Sequence, residues 1–321
     1  MDVSIIIVNY NTLKLTENTI NSVVEKTKDI NYEIILVDNA STDGSVEYFE
    51  KNYKDKIIFL KNEENLGFGR ANNKGIEVAK GKYTFLLNSD TLLINNAIKI
   101  LFDYMEFNSE VGVCGGNLYD GELNPVHSYL KKIPSIKTEI NYFFNILGKI
   151  VKKIFKKRDD FNYSESVREV GYITGADMMI RKNILEKVGI FDEIFFMYSE
   201  EAELTYRIKQ ARYKIMSVPK ARIVHLEGKS TKFKENRYHM YLESKYKYYY
   251  KIYGIKSCKN FYLISQLGYL LRGISTFNKD YFKILKINFK EYDICELQKF
   301  FSYVFNIEIS NYEDIEKFLN N

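Results

Sequence analysis

Three apolar runs, each closing on a polar turn, constrain this chain more than anything else in it. The run at 3–8 opens onto Asn9, Tyr10 and Asn11, the run at 34–37 ends on Asp38 and Asn39, and the run at 83–87 leads into Asn88, Ser89 and Asp90. Short runs this rich in β-branched residues read as strands buried on both faces. Amphipathic stretches of helical length separate them, and that alternation implies βαβ units around a mostly parallel sheet. The pattern predicts strands over 3–8, 33–37, 57–61, 83–88 and 111–115, and helices over 14–26, 45–53, 69–79 and 97–108. In such a sheet the ligand crevice forms outside the carboxyl ends of the strands, so the polar turns are expected to build one site. Asp43, in the turn at 41–44, is expected to cap the helix that follows.

With 321 residues and 45% hydrophobic content, the chain can bury a large core, and disorder is excluded. Cys114, Cys258 and Cys295 are far apart and lack metal-ligand spacing, so neither a disulfide framework nor a zinc site is expected. No signal-like segment opens the sequence and no run approaches eighteen apolar residues, so a cytoplasmic chain is expected. The net charge of +5 is uneven, with one basic cluster over 149–158 and another over 229–237. Such clusters suit anionic lipid, phosphorylated substrates or plain solubility. They lie away from the strand-end turns, which argues against nucleic acid as a partner. Residues 121–170 are less regular and read as an insertion over the site, a strand-like segment follows at 170–180, and helical periodicity dominates after 232.

The polar turns, with Val37–Ser45, Asn65–Gly75 and Leu87–Thr91, occur together in an order and spacing that resemble the family 2 glycosyltransferases. Within that family the chain is most similar to bacterial rhamnosyltransferase-like members of polysaccharide biosynthesis. The resemblance covers roughly residues 1–232 and implies a nucleotide-sugar-binding catalytic domain of the GT-A type there. This is a Rossmann-like α/β fold, followed by a mainly helical region at 233–321.

The resemblance also assigns roles. Tyr10 would lie against a pyrimidine while Asp38 accepts its ring N–H; the plain alternative for Tyr10 is a ring closing the sheet edge. Asn9, Asn11, Asn39, Asn65, Gly67, Phe68, Asn72, Asn88, Ser89 and Asp177 complete the expected nucleotide-sugar contacts. Gly67 and Gly69 would allow close backbone approach at a helix N-terminus that favours anions. A dinucleotide-binding chain would carry its glycine-rich turn directly after the first strand, where Asn9, Tyr10 and Asn11 stand.

Many relatives carry Asp-x-Asp where this chain has Asn88–Ser89–Asp90. One carboxylate fewer leaves more of a Mn2+ or Mg2+ shell to substrate phosphates and water. His225 occupies the place of a metal-binding histidine, although a lone histidine at a strand end is otherwise structural. In the acidic segment at 200–203 the match nominates Glu201 as the base that takes the acceptor hydroxyl proton, with Glu200 in reserve. Acids at a helix start are also favoured by the helix dipole alone. Glu203 is expected to fix nearby backbone or to contact acceptor. Asp177 would contact sugar hydroxyls or be a buried hydrogen-bonded carboxyl.

The implied activity is inverting transfer of a sugar, rhamnose from dTDP-rhamnose or a hexose from a UDP-hexose, to a saccharide or lipid-linked acceptor. A nucleotide-sugar-binding protein without catalysis is the alternative. Ile140, Phe143, Phe144, Leu147, Ile150, Val151, Ile154 and Phe155 recur at helical spacing beside the 149–157 lysines. That pattern fits either a helix lying on the cytoplasmic face of an anionic membrane or one packed internally.

Overall fold

The computed structural model describes residues 1–144, 158–226 and 234–276. Most of the stretch expected to form an amphipathic helix over 140–158, with its lysines, falls outside them, as do Lys229, Lys232 and Cys295. The chain divides into one unit of 1–133 with 157–244 and another of 134–156 with 245–321. Part of the stretch read as an insertion, 134–156, therefore groups with the C-terminal residues.

The first unit is an α/β sandwich. Strands β1 (Val3–Asn9), β2 (Tyr32–Asp38), β3 (Ile58–Lys61) and β4 (Tyr83–Asn88) alternate with helices α1 (Leu13–Lys26), α2 (Ser45–Tyr53) and α3 (Phe68–Val78). These match the sequence-based expectation to within two residues at each end. A three-residue β5 (Thr91–Leu93), α4 (Ala97–Phe107) and β6 (Val111–Tyr119) follow. The remaining elements of this unit are β7 (Tyr129–Leu130), β8 (Arg168–Glu169), β9 (Tyr172–Ile173), β10 (Asp177–Arg181), α6 (Lys182–Val188), α7 (Glu200–Gln210) and β11 (Lys214–His225). Among the described residues the main sheet has nine strands in the order β3-β2-β1-β4-β10-β6-β11-β5, with β8 on β11.

β1, β2, β3 and β4 pair in parallel, as do β6 and β11, whereas β10 is antiparallel to both β4 and β6. Strand periodicity divides the core between the two faces of the sheet. Ile5 and Ile7 pack with Ile20, Val23, Phe49, Leu101 and Met105, while Ile6 packs with Ala71, Ile76, Ile184, Leu204 and Ile208 on the opposite face. All three isoleucines are fully buried, which is why the first run shows no polar alternation.

Of β11 the sequence reading gave only a strand end at His225 and not its extent. Its register with β6 shifts between Ser217↔Gly115 and Arg222↔Asn117, so several residues including Pro219 face a single partner position. Proline cannot donate to a ladder and is tolerated at such a bulge. Beyond the bulge the strand pairs antiparallel with β5, bringing His225 opposite Thr91.

The second unit contains α5 (Ile136–Phe144), the C-terminal part of α8 (Lys234–Tyr253) and α9 (Ile255–Thr276). Buried Glu139 accepts hydrogen bonds from Lys245 Nζ and Tyr249 OH, both at 2.8 Å, and the hydroxyls of Tyr248 and Tyr253 donate to Pro134 O. Phe143, from the expected amphipathic face, packs edge-on against Tyr269, whereas Ile140 is exposed.

Candidate active site

Register alone aligns the expected turns. Asn9 pairs with Asp38 across β1 and β2, and Val8 with Asn88 across β1 and β4, so the three polar turns leave the sheet at one level. Asn9 is their hub. Its Nδ2 donates to Asp38 Oδ2 at 2.7 Å and to Ser41 Oγ at 3.0 Å, and its Oδ1 accepts from the hydroxyls of Thr12 and Thr16. Asp38 Oδ1 accepts from Ser41 N at 2.9 Å. Asp38 is fully buried, and each of its oxygens accepts one hydrogen bond inside the protein. Its carboxylate ties down the turns on either side of Tyr10, which is 45% exposed. Asn11, exposed and at φ 54, accepts from Thr42 N, while its own N–H donates to Ser41 Oγ.

Asp43 accepts from Ser45 N at the start of α2, as expected of a cap, and also from Leu13 N at the start of α1. These bonds outweigh its partial desolvation and lower its pKa. One carboxylate thus serves two helix N-termini.

Several other expected contact residues also work inside the protein. Asn39 is buried, with its Oδ1 accepting from Asn62 Nδ2 and Leu66 N and its Nδ2 donating to Asn65 Oδ1, which in turn accepts from Gly67 N. Asn72 donates to Phe68 O one turn earlier in its own helix. Gly67 has φ +81, and a Cβ there would lie 2.1 Å from Phe196 O. The approach its glycine allows is therefore that of the Phe196 backbone, whose carbonyl also takes the first amide of α3 through Phe68 N at 2.8 Å. The Phe68 amide is therefore already bonded within the protein.

Asp90 and His225 meet, with His225 Nε2 3.2 Å from Asp90 Oδ1 and 3.4 Å from Asn88 Nδ2. Leu226 N donates to Asp90 O at 2.9 Å, fixing the approach. Ser89 is buried, its hydroxyl 3.1 Å from Thr12 Oγ1 and its carbonyl accepting from Thr19 Oγ1. A carboxylate oxygen and an imidazole nitrogen on adjacent segments suit a divalent cation that takes its other ligands from phosphate and water. No group of three or more His, Cys, Asp or Glu side chains that could hold a metal occurs among the described residues, so a substrate-completed shell is the one these residues fit.

β10 brings the segment at 175–177 beside the same turn. Asp177 pairs with Leu87 in register, and Asn88 N donates to Ala176 O. Asp177 is fully buried, and its Oδ2 accepts from Gly116 N at 2.5 Å. Burial pushes its carboxyl up to about 8, against the Gly116 bond and the nearby His225.

Gly175 N donates to Glu201 Oε1 at 3.3 Å, and a Cβ on Gly175 would press on Glu201 Oε1 and the Phe68 ring, both at 2.8 Å. Glu201, Gly175 and Phe68 are therefore in contact. Two successive left-handed residues, Tyr198 (φ 73) and Ser199 (φ 67), turn the chain into α7 and set this placement. Burial raises the Glu201 pKa despite bonds to the backbone amides of Glu201 and Gly175 and the nearby charge of His127. Glu200 is 1% exposed, and burial followed by repulsion from Glu201 raises its pKa well above the usual range. Its Oε2 has no hydrogen-bond partner among the described residues. Glu203 binds Arg207, whose guanidinium reaches the carbonyls of Val188, Gly189 and Ile190, so Glu203 fixes backbone.

Sequence reasoning missed Gly175, which no local pattern marks because its contact with Glu201 joins segments 26 residues apart.

The model for "Glycosyl transferase family 2" matches residues 4–189, more than half of the chain and the turns after β1, β2 and β4, while Glu201 and His225 lie beyond it. An uncharacterized glycosyltransferase of Methanocaldococcus jannaschii is 32% identical over 168 residues, covering 47% of this chain and 58% of that protein. An N-acetylglucosaminyl-diphospho-decaprenol L-rhamnosyltransferase of Mycobacterium tuberculosis is 26% identical over 213 residues, covering 62% and 67%. The chain thus spans little more than half of the first of these relatives. A crystal structure of GalNAc-T7 with UDP, GalNAc and Mn2+ superposes with TM-score 0.56 at 19% identity, covering 78% of this chain and 50% of that one, a likeness of fold. With its strand-end turns in this order on a sheet of this kind, the chain belongs to glycosyl transferase family 2.

Proposed function

We propose that the chain transfers a sugar with inversion from a nucleoside diphosphate sugar to a hydroxyl of a saccharide or lipid-linked saccharide, using the unit of 1–133 and 157–244. The observation that carries this reading is the convergence on one strand end of two different chemistries. Past the antiparallel Leu87–Asp177 pair, β4 runs on to Asp90, which meets His225, and Gly175, two residues before Asp177, holds Glu201. Asp90 and His225 would hold Mn2+ or Mg2+, the imidazole favouring Mn2+. When bound, that cation supplies charge stabilisation to the departing diphosphate.

The chain's own groups do the rest. Tyr10 offers an exposed ring to a pyrimidine on a turn that Asp38 and Asn9 hold rigid. Glu201, partly exposed and with its pKa raised by burial, takes the proton of the acceptor hydroxyl as its oxygen attacks the anomeric carbon opposite the leaving diphosphate. Positioning of the two substrates supplies much of the rate.

The donor we favour is dTDP-rhamnose, ahead of UDP-hexoses; the rhamnosyltransferase relative supports it, and that relative's decaprenol substrate supports a lipid-linked acceptor. Such an acceptor calls for docking at the cytoplasmic face of a membrane. Residues 134–156 and 245–321 hold 17 lysines and arginines against nine acids, while the other unit holds 30 against 33, so the positive charge is concentrated where an anionic surface would meet it. No helix among the described residues is long and apolar enough to cross a membrane.

The test is release of nucleoside diphosphate from a panel of dTDP- and UDP-sugars, with and without Mn2+ and a lipid-linked acceptor. Turnover with a dTDP-sugar, lost in Glu201→Gln, is expected. Binding of a sugar nucleotide without any turnover would leave a binding protein, and absence of binding would refute the reading. Sedimentation with anionic against neutral liposomes tests docking, and equal recovery in both supernatants would refute it.

A further inference from the structure

The carboxyl end of β6 carries an aromatic stack that the chemistry described above does not use. β10 is antiparallel to both β4 and β6, so β6 runs in the direction of β4 and ends, at Tyr119, on the edge where the polar turns stand. Tyr119 pairs with Val224, the chain neighbour of His225. Two residues on, a Cβ at Gly121 would lie 3.3 Å from Leu226 Cδ2, and it is the Leu226 amide that donates to Asp90 O. The turn after β6 thus touches the segment that brings His225 to Asp90.

From Tyr119 the stack runs outward. The Phe161 ring meets Tyr119 edge-on at 5.3 Å between centres, and the Tyr163 ring meets Phe161 at 4.9 Å. Phe161 is 5% exposed and Tyr163 49%. The loop that carries them is braced. Asp160 O accepts from Ser128 N and Tyr129 N, Asn162 O accepts from Asn117 Nδ2 at 2.8 Å, and the buried Asn162 side chain closes the turn through Ser164 N and Ser166 O. An aromatic ring presented on a braced loop offers contact area at little cost in ordering.

The surroundings of Tyr163 point to its ligand. Its hydroxyl accepts from Arg158 N at 3.2 Å and keeps its own proton to donate. Arg222, exposed, lays its guanidinium 5.1 Å from the centre of the Tyr119 ring, and Arg158, Ser164 and Glu165 are exposed as well. One open ring in a polar rim suits a ligand that is apolar on one face and hydroxylated at its edge, which describes a pyranose; an acyl chain calls for a broad apolar patch.

We propose that Tyr119, Phe161 and Tyr163 form a saccharide subsite in which the Tyr163 ring stacks on a pyranose unit of the acceptor. The subsite rests on the proposed transfer to a saccharide and places its acceptor on the β6 side of Asp90 and His225.

The chain has no tryptophan, so Tyr163→Trp puts a single indole on this stack. Its emission, titrated with the methyl glycosides of glucose, galactose, N-acetylglucosamine and rhamnose, should change saturably with at least one of them and not with sorbitol, an open-chain polyol. With the octyl glycosides of the same sugars as acceptors, Tyr163→Ala should raise the acceptor KM roughly tenfold while kcat and the donor KM stay within about twofold. Tyr163→Phe keeps the ring and should hold the acceptor KM within about twofold of wild type. An indole that no glycoside perturbs more than sorbitol does, or an acceptor KM unchanged in Tyr163→Ala, would overturn the subsite and leave the proposed function standing. A loss in Tyr163→Phe as large as that in Tyr163→Ala would assign the effect to the hydroxyl and overturn the stacking. A saturable response in Tyr163→Trp from a chain whose wild type transfers to no acceptor would overturn the proposed function, and the acceptor role of the subsite with it.

Discussion

Replacing Asp38 with alanine separates a scaffold from a ligand contact. The change removes the acceptor of two buried hydrogen bonds, from Asn9 Nδ2 at 2.7 Å and Ser41 N at 2.9 Å. Bonds to a charged group contribute about 1.5–3 kcal/mol each, and donors left without a partner in the interior cost more than bonds lost to water. Ser41 lies towards the surface and can recover a partner there, so the expected loss is about 3 kcal/mol. For a unit of this size that corresponds to a fall in Tm of about 6–12 °C. The chain has no tryptophan, so far-UV circular dichroism is the suitable probe of unfolding. Calorimetric titration with UDP and dTDP at 15 °C then reads binding in protein that is still folded, and affinity should stay within about fivefold of wild type, since Tyr10 and the other turns remain. A Tm within about 1 °C of wild type together with abolished nucleotide binding would refute the reasoning. It would mean that the Asp38 carboxylate serves the base and not the turn.

Chelation with EDTA should abolish transfer, and Asp90→Asn or His225→Ala should raise the Mn2+ concentration needed for activity; full turnover in excess EDTA would contradict the assignment of these two residues. Glu201→Gln should lower kcat by roughly 100-fold or more with donor affinity nearly unchanged, and a larger loss from Glu200→Gln would move the role to that residue. Gly67→Ala forces a left-handed backbone on alanine and drives its Cβ into Phe196 O, so it should destabilise by about 3 kcal/mol or more; an unchanged Tm would contradict the docking of this loop on Phe196. Asp177 has a folded pKa of about 8, above its unfolded value, so its native carboxyl holds a proton that the unfolded chain releases. Its contribution to stability therefore weakens as pH rises from about 4 to about 8. Asp177→Asn should match wild type below pH 4 and exceed it by about 2 kcal/mol or more at pH 8.5, measured by urea unfolding; a constant difference would refute the shift.

The sequence by itself determined the βαβ half of the fold. β1 to β4 and α1 to α4 are local in origin: apolar periodicity and strand-end polar residues lie within a few positions of each other, and parallel strands buried on both faces need no alternation to be recognised. For the same reason the placement of Asn9, Tyr10, Asp38 and Asp90 at strand ends is legible in the sequence alone. Their division of labour is not, because a carboxylate that reads a base and one that braces a turn are the same letter at the same position. The burial of Asp38 and the partners of its oxygens add the bracing of the turn, which the sequence does not display. The rest depended on pairing between distant segments. His225 reaches Asp90 because β11 bulges around Pro219 and then runs beside β5, and Glu201 reaches the site because two left-handed residues turn the chain into α7 against Gly175. Such contacts are set by register across a sheet, a property of two segments together that neither segment's own residues encode.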